Sequence, residues 1–267
     1  CLDSEGADRS AGGAMLTWLE ADLAAATTDW VIAFWHHPPY TKGSHDSDNP
    51  FDSGGRMMEM RENALPILEE GGVDLVLCGH SHSYERSFLI DGHYGTSGTF
   101  AASMTIDGGD GSAGGDGAYT KATLGPAPHE GAVYAVAGSS SRLGGGTLDH
   151  PVMIVSSNTL GSMILDVDGN QLDARFLTDT KTVLDEFTIV KGGAVAVGGS
   201  GSAAGSLALG AVAPNPAREA ARIAYSLPRA GRVEIAIHDV AGRLVAVVES
   251  AERSAGEHEA RWDGRNR

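Results

Sequence analysis

Apolar residues at Met15, Leu16, Leu19 and Leu23 recur every three or four positions, which predicts an opening helix with Ser10 as its N-cap. An unbroken apolar run over 30–35 predicts a short buried strand, followed by a loop rich in proline, glycine and histidine over 36–55. Helical spacing returns from about 56 to 70. Pro66 inside that stretch predicts a kink, because proline lacks the amide that the preceding turn needs. Gly71 and Gly72 end the helix, and 73–78 is a second buried strand. This order predicts a layered α/β or α+β domain whose loops leave the C-terminal ends of its strands. Over 91–130 the apolar period dissolves into Gly, Asp, Ser and Thr, which predicts a long surface excursion. Strands resume at 132–137, 162–167, 171–177 and 183–190, with the Asp168-Gly169 pair predicting a hairpin turn.

A composition boundary follows. Residues 192–206 are almost wholly Gly, Ser and Ala, a linker composition, and divide a domain at 1–191 from a smaller one at 207–267. In the smaller one Ile223, Tyr225 and Leu227 alternate with polar neighbours. So do Val233, Ile235 and Ile237, against Glu234 and His238. Turns are predicted at 228–231 and 239–242, the second leading into a strand at 244–248. That pattern predicts a half-buried antiparallel sheet and hence a small all-β sandwich.

Composition then narrows the function. The chain has 267 residues, 42% hydrophobic and 20% charged, enough for a core. Its 19 Lys+Arg against 35 Asp+Glu give a net charge of −16, which argues against nucleic-acid or anionic-membrane binding. No apolar run reaches the 18 or more residues of a membrane span. Cys78, in an apolar run, reads as a small buried hydrophobe; pairing with Cys1 would need their Cα atoms within about 7 Å. The chain opens at Cys1 without an initiator Met and reads as a piece of a longer protein.

Seven of the ten histidines lie between His36 and His129, and four of them sit where a buried strand gives way to a loop. WVIAFWHHPPY (30–40) presents His36 and His37, and VDLVLCGHSHSYERS (73–87) presents His80 and His82. A fixed strand end with an exposed imidazole suits metal ligation, since the neutral ring nitrogen needs no costly deprotonation.

These motifs resemble the last two of five in the calcineurin-like metallophosphoesterases, especially the purple-acid-phosphatase branch, over about 1–191. The resemblance implies an αββα-layered α+β catalytic domain, present in part. It implies two metal ions, iron, zinc or manganese, with His36 and His80 on one and His82 on the other. Ala33 replaces the family's Val three positions before His36. His45, nine positions after His36, matches a histidine that faces the substrate phosphate, and its implied role is proton donation to the leaving group; His37 competes for that role. His37 is expected to point away from His36 if the strand alternation continues. Tyr84, Glu85 and Arg86 fit a run that supports the loop, with Arg86 expected in an ion pair. The family's first three motifs, which carry the metal-binding carboxylates, have no counterpart in 1–29. The one literal Gly-Asp-x-x-Tyr match, Gly115-Asp116-Gly117-Ala118-Tyr119, lies after the Gly-His-x-His motif and reads as chance. Asp107, Asp110 and Asp116 lack EF-hand spacing and read as a solvated turn-rich loop.

The C-terminal segment, from APNPAREAARIAYSLP to GEHEARWDGRN, resembles the FlgD-like immunoglobulin-type domain of secreted bacterial proteins. The combined expectation is a secreted or cell-surface phosphoesterase. Its substrate is a small phosphate monoester, hydrolysed by in-line attack of a metal-bridging hydroxide, and its C-terminal domain contacts a secretion system or cell surface. The alternatives are a phosphodiesterase or nucleotidase on the same fold, or a surface protein whose domain is a non-catalytic relic.

Overall fold

The computed structural model describes residues 1–192, 208–213, 221–227, 230–238 and 243–264. The chain divides into two compact units, Cys1–Gly193 and Ala194–Arg267.

In the first unit, helix α1 (Ala14–Ala24) buries Leu16 and Leu19 as the spacing predicts. Its N-cap is Gly13 rather than Ser10, whose hydroxyl is taken by Asp8 Oδ1 at 2.6 Å. Strand β1 (Ile32–Trp35) follows. The second helical stretch runs as a 3₁₀ turn (Asp52–Gly55), α2 (Arg56–Glu59), a π turn (Met60–Ala64) and α3 (Leu65–Glu70). Pro66 stands in the first turn of α3, so the widened π turn falls where the proline breaks the amide ladder.

The remaining strands are β2 (Leu75–Cys78), β3 (Tyr84–Ser87), β4 (Leu89–Ile90), β5 (Thr105–Asp107) and β6 (Tyr119–Lys121). After them come β7 (Val133–Ala137), β8 (Met153–Ser157), β9 (Gly161–Asp168), β10 (Gln171–Thr178) and β11 (Val183–Lys191). One sheet has the order β1-β2-β7-β3-β8, with β1, β2 and β7 parallel and β3 antiparallel to both neighbours. A second has the order β6-β11-β10-β9. The β9–β10 hairpin turns through Gly169 and Asn170, with Gly169 at φ +55.

Layering follows from side-chain alternation. Ala33, Trp35, Val76, Cys78 and Tyr134 pack with Leu16 and Leu19 of α1 and with Leu65 and Leu68 of α3. From the opposite face Ile32, Leu75, Leu77 and Val133 meet Leu172, Ala174, Phe187 and Ile189 of the second sheet. The unit is therefore a mixed α/β stack of helices, sheet and sheet. Among the described residues the second helical layer of an αββα stack is not seen. The outer face of the second sheet is exposed and mixed instead, with the Asp166–Arg175 pair beside exposed Ile164 and Leu184.

Charges bind the two sheets together. Asp74, fully buried just before β2, forms ion pairs with Lys121 of β6 at 2.6 Å and Lys191 of β11 at 2.9 Å, and accepts the Val31 amide. Arg86 of β3 makes a forked pair with Asp185 of β11 at 2.7 and 2.9 Å, and Tyr84 donates to the same carboxylate. The surface excursion expected over 91–130 is thus corrected in part: β6 buries Tyr119 and Lys121. Cys1 and Cys78 are both free.

In the second unit β12 (Ala208–Ala213), β13 (Ala221–Leu227) and β16 (Gly256–Trp262) form one antiparallel sheet, and β14 (Gly231–His238) pairs with β15 (Leu244–Arg253). Ile223, Tyr225 and Leu227 pack with Val233, Ile235 and Ile237 across the two sheets. The expected turn at 239–242, positions 228–229 of the expected turn at 228–231, and all of the linker expected over 192–206 except Gly192 lie outside the described residues. Among the described residues no helix is long and apolar enough to cross a membrane.

Replacing Asp74 with Ala should destabilise the first unit by about 3–5 kcal/mol in denaturant titrations, because two buried lysines lose their counter-charge. A loss below about 1 kcal/mol would show that the clamp is dispensable. Stability should also fall with acid. Burial holds His93 at about 4 and His150 at about 3, against an unfolded value near 6.5. The unfolded chain therefore binds more protons below about 6.5, and stability is lost as the pH drops from there towards 4. His150→Asn should flatten that slope, measured by denaturation midpoints across the range.

Candidate metal centre

β1 and β2 lie in parallel register, Trp35 beside Cys78, so both chains leave the sheet at the same level. Gly79 extends the ladder by donating its amide to the His36 carbonyl at 3.2 Å. His80 then takes a left-handed conformation at φ +63, and its ring lies against that of His36. His80 Nδ1 and His36 Nε2 are 3.0 Å apart. Two imidazole nitrogens bound to one ion at about 2.0–2.1 Å and near a right angle stand about 3 Å apart. The pair therefore fits a shared ion.

His37 does not point away from His36. Its ring is 4.9 Å from that of His36 and 4.4 Å from that of His80. The strand ends at Trp35, so alternation stops one residue too early to turn it aside. Ser4 Oγ holds it at Nδ1, 2.9 Å away, and accepts its backbone amide at 3.1 Å. Burial, with the neighbouring His36 imidazole, lowers His37 to about 4. Burial lowers His80 to about 4 as well, aided by His45, His37 and His36. Both rings are neutral at ordinary pH, so each keeps one unprotonated nitrogen.

His45 stacks on His80 with ring centres 3.9 Å apart. Its Nδ1 lies 2.9 Å from Asp52 Oδ1, and the other Asp52 oxygen accepts the Asp46 amide at 2.9 Å. Ser53, at φ +54, places its Oγ 2.6 Å from His80 Nε2. Donor atoms thus converge in two groups that share His80: His36, His37 and His80, and His45, Asp52 and His80. Asp52 and Ser53 are the residues that sequence reasoning missed. Their local signal is an ordinary Asp-Ser-Gly-Gly turn, and nothing near them in the chain announces His80.

His82, expected on a second ion, belongs to neither group. Its backbone is pinned, the amide donating to Ser44 Oγ at 2.9 Å and the carbonyl accepting from Gly144 at 3.0 Å. Glu85 fixes the loop before His45, accepting the Lys42 amide at 2.9 Å and the Ser83 hydroxyl at 2.8 Å. In the 107–117 loop Asp107 and Asp116 accept nearby backbone amides, and no three-donor group includes them among the described residues.

Zinc titration of the chain should show a first equivalent that His80→Ala weakens at least tenfold, because His80 serves both groups. His82→Ala should leave that equivalent within about twofold. Equal losses in the two variants would dissolve the assignment.

Comparison with known proteins gives partial matches. Residues 3–84 match the family model described as Calcineurin-like phosphoesterase. An uncharacterized protein of Mycobacterium tuberculosis is 36% identical over 89 residues, 32% of this chain and 16% of that protein. Purple acid phosphatase 18 of Arabidopsis thaliana is 38% identical over 78 residues, 28% of this chain and 16% of that protein. The chain thus spans about a sixth of the length of these curated relatives. The structure of purple acid phosphatase PPD1 from yellow lupin (Lupinus luteus) seeds aligns with a TM-score of 0.49 at 18% identity, covering 69% of this chain and 29% of that one. On the sequence matches, residues 3–84 are similar to the calcineurin-like phosphoesterases, and purple acid phosphatases are among the proteins this stretch resembles.

Proposed function

We propose that the protein hydrolyses small phosphate esters, monoesters foremost, at a metal centre built on His36 and His80. The observation that carries this reading is the 3.0 Å approach of His36 Nε2 to His80 Nδ1 at the C-terminal ends of two parallel strands, where open α/β sheets place their ligands. Metal ions bound there, iron, zinc or manganese, would lower the pKa of water and neutralise charge on the phosphoryl group. His82 is the proposed ligand for a second ion.

The chain's own residues supply the proton traffic. With Nδ1 donating to Asp52, His45 keeps Nε2 as its exchanging edge. The imidazolium form gives the Nε2 proton to the departing alkoxide, and Asp52 orients the ring throughout. Hydrogen bonds from the Asp46 amide, His45 and Ser53 outweigh the effect of burial and hold Asp52 below the usual carboxylate value, so it stays anionic. The surface's net charge of −16 would repel phosphate, and cations at the site would reverse that locally. The C-terminal unit is proposed as the immunoglobulin-type module of a secreted protein, a reading supported by the alternation along β13 and β14.

The natural protein carrying this chain should cleave 4-nitrophenyl phosphate in a metal-dependent way. His80→Ala should abolish turnover. His45→Ala should lower kcat by roughly 10²–10⁴-fold while the ion shared by His36 and His80 is retained. Unaltered turnover in His80→Ala would refute the site, and a preference for bis(4-nitrophenyl) phosphate would favour the diesterase alternative.

A further inference from the structure

A groove of about 850 Å³ lies between α1 and α3, and none of its lining residues belongs to the histidine groups. Leu23 and Ala24 form one wall, Pro66 and Ile67 the other, and Tyr94 contributes its ring. The volume falls within the roughly 300–1,000 Å³ of small-molecule sites.

The walls are built rather than incidental. Gly72 sits at φ +73, and a Cβ there would come within 2.3 Å of the Ala127 amide nitrogen, so the 126–129 loop packs directly on the end of α3. The His129 amide donates to the Glu69 carbonyl at 3.2 Å. The His129 imidazole bridges Asp91 at 3.1 Å and Glu70 at 3.2 Å. Beneath the groove the Glu69 carboxylate accepts hydroxyl protons from Tyr94 at 2.6 Å and Tyr134 at 2.5 Å, and the Gly92 amide at 2.8 Å. With its hydroxyl committed to Glu69, Tyr94 has its aromatic surface left to offer a ligand.

Carboxylates outnumber basic groups around this apolar floor. Glu20 and Glu70 line the groove, and neither lysine nor arginine does. His129 is the one basic group among the lining residues, and it is already shared between Asp91 and Glu70. Glu20 is exposed and joins no ion pair among the described residues. Carboxylates beside an aromatic ring and aliphatic walls suit a cation whose charge is spread over carbon.

We propose that this groove binds a small organic cation, a quaternary ammonium attached to an apolar body. The probe is benzyltrimethylammonium, titrated into the whole chain by calorimetry with Ile67 methyl shifts followed by NMR. Saturable one-to-one binding is expected. Glu20→Lys, a surface change on α1, should weaken it at least tenfold. Ala24→Trp, which fills the groove from an exposed position, should abolish it while zinc binding at the histidines stays intact. Neopentylbenzene, the uncharged isostere, should bind at least tenfold more weakly than the cation. Absence of saturable binding overturns the proposal. So does affinity within twofold in Glu20→Lys or Ala24→Trp, which would put the cation elsewhere on the acidic surface. Equal binding of the uncharged isostere overturns it too, by showing an apolar cleft with no cation preference.

Discussion

Two four-residue strands run parallel, Ile32 beside Leu75 and Trp35 beside Cys78, and the position of every candidate ligand depends on that register. Side chains alternate along a strand, so a slip of one residue would exchange the face packed on the helices for the face packed on the second sheet. In β1 the helix-side face, Ala33 and Trp35, is buried while Phe34 on the other face is half exposed, so a slip would put a half-exposed position's side chain into the helix-packed core. In the observed register both strands end together, and the last bond of the ladder runs from Gly79 to His36. The left-handed turn at His80 then brings the two imidazoles into contact. Such a conformation is costly for a residue with a Cβ and persists where surrounding contacts over-determine it.

Hydrophobic contact alone would let the two sheets slide. The buried charges do not. Asp74 precedes β2 by one residue and is gripped by lysines from two strands of the opposite sheet, while Arg86 and Asp185 repeat the device from β3. Each charge carries a desolvation cost that only its partner offsets, so a misplaced layer would strand ions in the core. Glu85, between Tyr84 and Arg86, faces the other way and holds residues 41–43, the approach to His45. The run Tyr84-Glu85-Arg86 therefore ties the second sheet on one side and the candidate proton donor's loop on the other.

Much of this was legible in the chain. The apolar runs before His36 and before His80 marked the central strands, and the long alternating segments marked β9, β10 and β11 within a residue or two. Short strands were not legible. β5 and β6 have three residues each inside Gly- and Asp-rich sequence, and they exist because long-range partners, Leu89 and Ile189, complete their ladders. At the site, strand ends disclosed His36 and His80, and the family resemblance directed attention to His45. His37 was misjudged because alternation was carried past the end of β1. Asp52 and Ser53 were invisible because their meaning is a contact across 27 residues between Ser53 and His80 and a hydrogen bond to His45.

The central claim is that His36 and His80 share one ion. X-ray absorption at the zinc edge of the zinc-loaded protein tests it most directly. Two or more imidazole nitrogens at about 2.0–2.1 Å, with the ring's outer-shell scattering, are expected. A first shell of oxygen alone, with no imidazole scattering, would contradict it.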